Sequence, residues 1–178
     1  MRTALNWWPV VAVAGVFALG WLVGPGPTRF DNRLLALDAP DPLLVFVEAP
    51  VQAAVLGVAV AYALWRGRWR LAAVSALCPP VAVVSAQLLK RVFGRTRDGE
   101  LAYPSGHITA LVVIAGMVVL VAGGRLWALV LAALAVVAGM ILVGMTFHYF
   151  TDTVGALLLG SAYVAVAARL VARPRRDT

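Results

Sequence analysis

The sequence predicts an all-α membrane protein, a single-domain bundle of six transmembrane helices over residues 1–178, and three observations carry that prediction. First, 62% of its 178 residues are hydrophobic and 13% charged, with a mean hydropathy of +0.91, whereas an ordinary soluble domain is about 25% charged. Second, a bilayer core takes about 20 apolar residues per helix, and six such stretches fit, roughly over 6–24, 43–65, 70–89, 106–123, 126–146 and 153–172. Third, charge clusters in the links between these stretches, with an asymmetry that assigns the two faces.

The first stretch, in MRTALNWWPVVAVAGVFALGWLVG, has the basic start of a secretory leader. No small-x-small cleavage site follows and the apolar run is long, so it is expected to remain as a span. Next, TRFDNRLLALDAP from Thr28 spaces Phe30, Leu34, Leu35 and Leu37 for a helix lying on the membrane surface, although a plain connector fits the same residues. Glu48, near one end of the second span, is a functional candidate because ionisable groups are costly at membrane depth. It can pair with an arginine of the 90–97 segment or simply reach the interface. The third span holds the one cysteine, Cys78, beside Pro79-Pro80. It reads as a packing residue, and a lone cysteine excludes a disulfide framework and a cysteine metal site. The fourth span opens at Ser105-Gly106-His107, after Pro104, and the last two are joined by Phe147-His148-Tyr149-Phe150-Thr151-Asp152.

Nine arginines fall on one side of the six-span arrangement: Arg2, Arg66, Arg68, Arg70, Arg125, Arg169, Arg173, Arg175 and Arg176. Cytoplasmic links carry the excess of basic residues, so this side and both termini face the cytoplasm. Trp7, Trp8, Trp65, Trp69 and Trp127 lie near that boundary, where an amphipathic indole is at home. The tail Arg173 to Arg176 is expected to rest on anionic headgroups. Segments 90–105 and 147–152 then emerge together on the outward face.

That face gathers Lys90, Arg91, Arg95 and Arg97, then Ser105, Gly106 and His107, then His148 and Asp152. Lys90 is the one lysine beside fourteen arginines, and the two histidines are the only ones. Taken singly, these residues read as headgroup anchors and satisfied interfacial side chains. Together, several cations without an acidic cluster point to an anion, and phosphate suits a lipid-facing site. Backbone N–H groups at a helix N-terminus, with the Ser105 hydroxyl, can close on phosphate oxygens, and Gly106 admits the ligand near the backbone. His148 and Asp152 stand four apart, so the carboxylate can hold one ring nitrogen while the other attacks phosphorus. His107 is then free to protonate the leaving oxygen.

Lys90 with Arg97, Pro104-Ser105-Gly106-His107, and His148 with Asp152 resemble, in order, the three signature motifs of the type 2 phosphatidic acid phosphatase family. The resemblance covers nearly the whole chain, since the six-helix order and motif placement match as well. It implies a metal-independent lipid phosphatase with no cofactor, in which the third-motif histidine is transiently phosphorylated. On that resemblance His148 is the nucleophile, Asp152 its orienting carboxylate and His107 the general acid; Lys90, Arg97, Ser105 and Gly106 form the phosphate cradle. The sequence departs from the family at two places. Asp98 follows Arg97 where proline is usual, and Ile141-Leu142 stand where Ser-Arg usually opens the third motif. A buried charge-assisted contact contributes about 1.5–3 kcal/mol, and Arg91 or Arg95 are the cations nearest to replacing it.

The leading expectation is hydrolysis of a phosphomonoester or diphosphate of a lipid in the outer leaflet, with a polyprenyl phosphate or diphosphate first and phosphatidate or phosphatidylglycerophosphate as alternatives. A binding or transport protein that has lost turnover is the second reading, and a two-histidine, one-carboxylate metal site the third. Membrane lipids and the lipid phosphate are the expected partners, not nucleic acid. Arginine over lysine, with abundant alanine and valine, suits a GC-rich bacterial genome, which places the chain in a bacterial inner membrane with its site facing outward.

Overall fold

The computed structural model describes residues 2–37 and 41–172. The basic tail and residues 38–40 of the expected surface helix lie outside the described residues. Among these the chain forms seven α-helices: α1 (Arg2–Val23), α2 (Arg29–Leu35), α3 (Ala49–Trp65), α4 (Trp69–Phe93), α5 (Gly106–Val121), α6 (Leu126–Thr146) and α7 (Phe150–Val171). A 3-10 helix (Asp41–Val47) precedes α3, and a hairpin of β1 (Thr96–Arg97) and β2 (Glu100–Leu101) follows α4. The fold is all-helical, as expected. Four helices are long and apolar enough to cross a membrane: α1 from Asn6, α4, α6 and α7. The apolar helices α3 and α5 are shorter, at 17 and 16 residues.

The expected span over 43–65 divides at Glu48. Proline lacks an N–H and its ring clashes with the preceding turn, so Pro50 suits a first turn and not a helix interior. Glu48 is accordingly extended, at φ −68 and ψ 144, as the N-cap of α3. Its side chain is exposed and, among the described residues, joins no ion pair with the 90–97 segment. The third expected span runs beyond 89 to Phe93, so Lys90 and Arg91 ride on the last turn of α4. Gly94, at φ 62, ends that helix in the left-handed conformation that glycine adopts without strain.

Helix α7 packs on α1, α4, α5 and α6, while α5 packs on α3, α4, α6 and α7. Small residues make the approach possible: a Cβ on Gly116 would overlap Val164, one on Gly160 would overlap Val112, and one on Gly155 would overlap the Tyr103 ring. The Trp8 indole N–H donates to Ser161 Oγ at 3.1 Å, and the Tyr103 hydroxyl to the Val16 carbonyl at 2.6 Å, fastening α1 to the rest. Burial holds the Tyr103 pKa above its ordinary value, with Asp152 adding and Arg95 opposing, so the phenol stays a donor. Leu22, Trp65, Leu126 and Trp127 lie exposed on the outside, an apolar surface suited to lipid.

Helix α2 begins with a capping box, in which Thr28 Oγ1 accepts from the Asp31 N–H and Asp31 accepts from the Thr28 N–H. Phe30 meets Phe150 edge to face at 5.3 Å, and the helix packs on α6 and α7. A helix does form where the surface helix is expected, but its Asp31 is fully buried.

Candidate active site

The start of α3, the end of α4, the start of α5 and the α6–α7 link meet at one end of the bundle. Between them lies an open cavity of about 250 Å³ lined by Gln52, Gln87, Lys90, Gly106, His107 and His148, with apolar walls from Val47 and Val83. Residues distant in sequence are therefore brought together: the His107 and His148 rings stand 6.3 Å apart, inclined at 63°. Lys90 reaches the cavity half-buried, His107 is exposed at it, and His148 is buried.

Ser105 is the N-cap of α5, its hydroxyl accepting from the Ile108 N–H at 3.5 Å, a long contact. It is fully buried and does not line the cavity. Its own N–H is taken by the Asp152 carbonyl at 3.1 Å, a main-chain tie between α5 and the start of α7. The first intrahelical bond is made by the Thr109 N–H, so the Gly106 and His107 N–H groups at the head of α5 remain for a ligand. A Cβ on Gly106 would come 3.4 Å from Gln87 Nε2.

Asp152 occupies the third position of α7 and accepts the Tyr149 N–H on Oδ2 at 3.0 Å, closing the first turn of the helix. The same oxygen lies 3.6 Å from His148 Nδ1, an ion-pair distance longer than a hydrogen bond. The other oxygen, Oδ1, accepts from Arg95 Nη1 at 3.0 Å.

Arg97 does not line the cavity. Its guanidinium donates to the His148 carbonyl, lies over the Tyr149 ring at 5.6 Å and pairs with Asp98 at 3.4 Å, gripping the backbone that carries His148. Asp98 and Gly99 form the two-residue hairpin turn, with φ of 50 and 85. Both values belong to the type I′ turn that Asp-Gly favours. Leu142 is half-buried and packs against the apolar cluster around Val47, Ile108 and Val143, leaving no cation at its position. Arg91 is exposed, and Arg95, 1% exposed, points away from the cavity into two carboxylates. Neither supplies the charge that Leu142 lacks. Among the described residues no three of His, Cys, Asp and Glu converge closely enough to hold a metal ion.

Two residues of this neighbourhood escape the motif reading. Asp31 joins Arg95 at 3.1 Å and is the partner that completes a buried Asp31–Arg95–Asp152 line. In sequence, Thr28-x-x-Asp31 signals only a helix cap. Gln52, 5% exposed, donates Nε2 to the Val47 carbonyl at 2.8 Å and to the His107 carbonyl at 3.3 Å, and its Oε1 has no partner among the described residues. A glutamine in an apolar helix was its one sequence signal. The chain matches no protein-family model, no curated protein and no solved structure.

Proposed function

We propose that this chain is a membrane-embedded lipid phosphatase acting through a phosphohistidine on His148. The observation that carries the reading is the pairing of its only two histidines across a cavity that also receives its only lysine. A phosphoryl group between the rings would meet His148 on one side and His107 on the other. Lys90 and the head of α5 would hold its oxygens. In the first step a His148 ring nitrogen bonds to phosphorus, the bond from phosphorus to the lipid oxygen breaks, and His107 gives that oxygen its proton. Water then attacks the phosphohistidine, yielding its proton to His107. The P–N bond breaks, inorganic phosphate leaves and both rings return to their starting states. With a diphosphate the departing group is the lipid monophosphate.

The bilayer arrangement belongs to the same proposal. Helices α3 and α5 cross beside the four longer ones, giving six spans with both termini cytoplasmic, in a bacterial inner membrane. The cavity then opens at the outer face, within reach of a polyprenyl phosphate or diphosphate, or of phosphatidate or phosphatidylglycerophosphate. The deciding experiment is phosphate release by the pure protein from these lipids in detergent. Wild type is expected to turn over at least one of them and His148→Ala none; equal rates for the two would refute the mechanism.

One observation favours a second reading, a lipid-phosphate binding or transport protein with weak turnover. Of the expected cations only Lys90 lines the cavity, since Leu142 is packed in apolar surroundings and Arg95 and Arg97 are engaged elsewhere. Rapid phosphate release would rule that reading out.

A further inference from the structure

Behind His148 a line of alternating charge runs away from the cavity to α2. Asp152 Oδ1 meets Arg95 Nη1 at 3.0 Å, and Arg95 Nη2 meets Asp31 Oδ2 at 3.1 Å, with all three side chains no more than 1% exposed. The line is densely held. Asp31 accepts from the Thr28 N–H and hydroxyl at 2.8 Å each and from the Thr151 N–H and hydroxyl at 3.0 Å each. Arg95 donates also to Thr151 Oγ1 at 2.8 Å and to the Gly26 carbonyl at 2.9 Å, and it lies 4.6 Å over the Tyr149 ring. Gly94 turns the chain at the end of α4, so that Arg95 enters the interior.

The charges have consequences for the imidazole. Asp152 supports positive charge on His148, the charge that develops when the ring takes up phosphorus. Arg95 on the opposite oxygen competes for the same carboxylate and opposes that charge. Asp31 offsets Arg95. We infer that Asp31 and Arg95 are a pair of positioning residues that set how strongly Asp152 supports His148. The step they modulate rests on the phosphatase reading, whereas the charge line itself does not. Among the described residues, the charged and titratable groups around His148 are Asp152 from α7, the adjoining Tyr149, His107 from α5, Lys90 from α4 and Arg97 from β1 at its carbonyl. Arg95 and Asp31 stand behind Asp152. A buried pair that served only to staple α2 to the bundle would affect folding without steering the imidazole in a particular direction.

The chain's two histidines make this directly measurable. In protein labelled with 15N-histidine, NMR shows two imidazoles, and His107→Asn assigns them. Removing the Asp31 charge leaves Arg95 paired with Asp152 alone, so in Asp31→Asn the His148 transition is expected to move to lower pH by about one unit. In Arg95→Gln it is expected to move to higher pH, and in the double variant to return close to wild type. The double variant removes the Asp31–Arg95 pair together, a milder change than stranding Asp31 alone, and leaves Asp152 held by the Tyr149 N–H. Shifts that are absent, or of the same sign in both single variants, would overturn the inference. With a lipid substrate, Asp31→Asn is expected to lower kcat about tenfold and leave KM nearly unchanged. If wild type releases no phosphate from any lipid phosphate, the phosphatase reading fails while the two titrations still decide the role of the pair.

Discussion

Asp98 has a φ of 50, which the proline ring forbids. The residue that departs from the resembled motif is thus the one that the type I′ turn needs, and the hairpin it closes holds Arg97 against the His148 carbonyl. Asp98→Pro, which would restore the usual motif, is expected to lower the melting temperature and to release Arg97; Asp98→Asn, able to adopt the same φ, should do neither. Thermal unfolding in detergent checks both. Asp31 has a different signature. Burial alone would raise its pKa, but the N–H groups and hydroxyls of Thr151 and Thr28 outweigh it and hold the pKa below the ordinary value. The folded state therefore releases this proton more readily than the unfolded chain. Its stabilisation is complete above the unfolded carboxylate pKa of about 3.9 and is lost as pH falls through the lower folded value. Melting temperature measured below about pH 4 should accordingly fall less steeply in Asp31→Asn than in wild type. At this scale the histidines and Lys90 were legible because the chain otherwise avoids them. Asp31 was not, because a capping box explains it locally, and Arg95 read as a cation of the phosphate-binding face that could replace the charge absent at Leu142. Only the turn at Gly94 and the packing of α2 show where its guanidinium goes.

Among the elements, α7 and the loop before α5 are in close contact. Gly155 lies against the Tyr103 ring, whose hydroxyl reaches across to Val16 on α1. An added methyl has no room there, and overpacking of this kind costs about 1–3 kcal/mol. Gly155→Ala is expected to destabilise the protein by that amount in chemical unfolding. Gly57→Ala, where nothing lies within 4 Å of the new carbon, is the control and should be neutral or stabilising. Apolar run length made most of the helices legible, but not their ends. The break at Glu48 depends on the placement of Pro50, and the extension of α4 to Phe93 on a glycine stop five residues past the expected limit of 89. Both signals are local, and hydropathy averaged over a span blurs them.

For the whole molecule, the alternating helix directions put Asp98 at the cavity end and Arg125 at the opposite end, between α5 and α6. In a Cys78→Ala background, Asp98→Cys is expected to react with a membrane-impermeant maleimide in intact cells. Arg125→Cys should react only after the membrane is opened. The reverse pattern would invert the proposed orientation. The two ends of the bundle also differ in closure. At the cavity end the 3-10 helix touches both α3 and α6, and the Ser105–Asp152 main-chain bond joins α5 to α7. At the other end a space of about 750 Å³ stands open, lined by α3, the end of α5 and the start of α6, with Arg66, Arg68 and Arg125 at its rim. A tie spans that open end, from Arg68 Nη1 to the Val121 carbonyl at 3.0 Å, so the link between α3 and α4 is held to the end of α5 by a guanidinium, whereas the surroundings of the two rings are fixed by main chain.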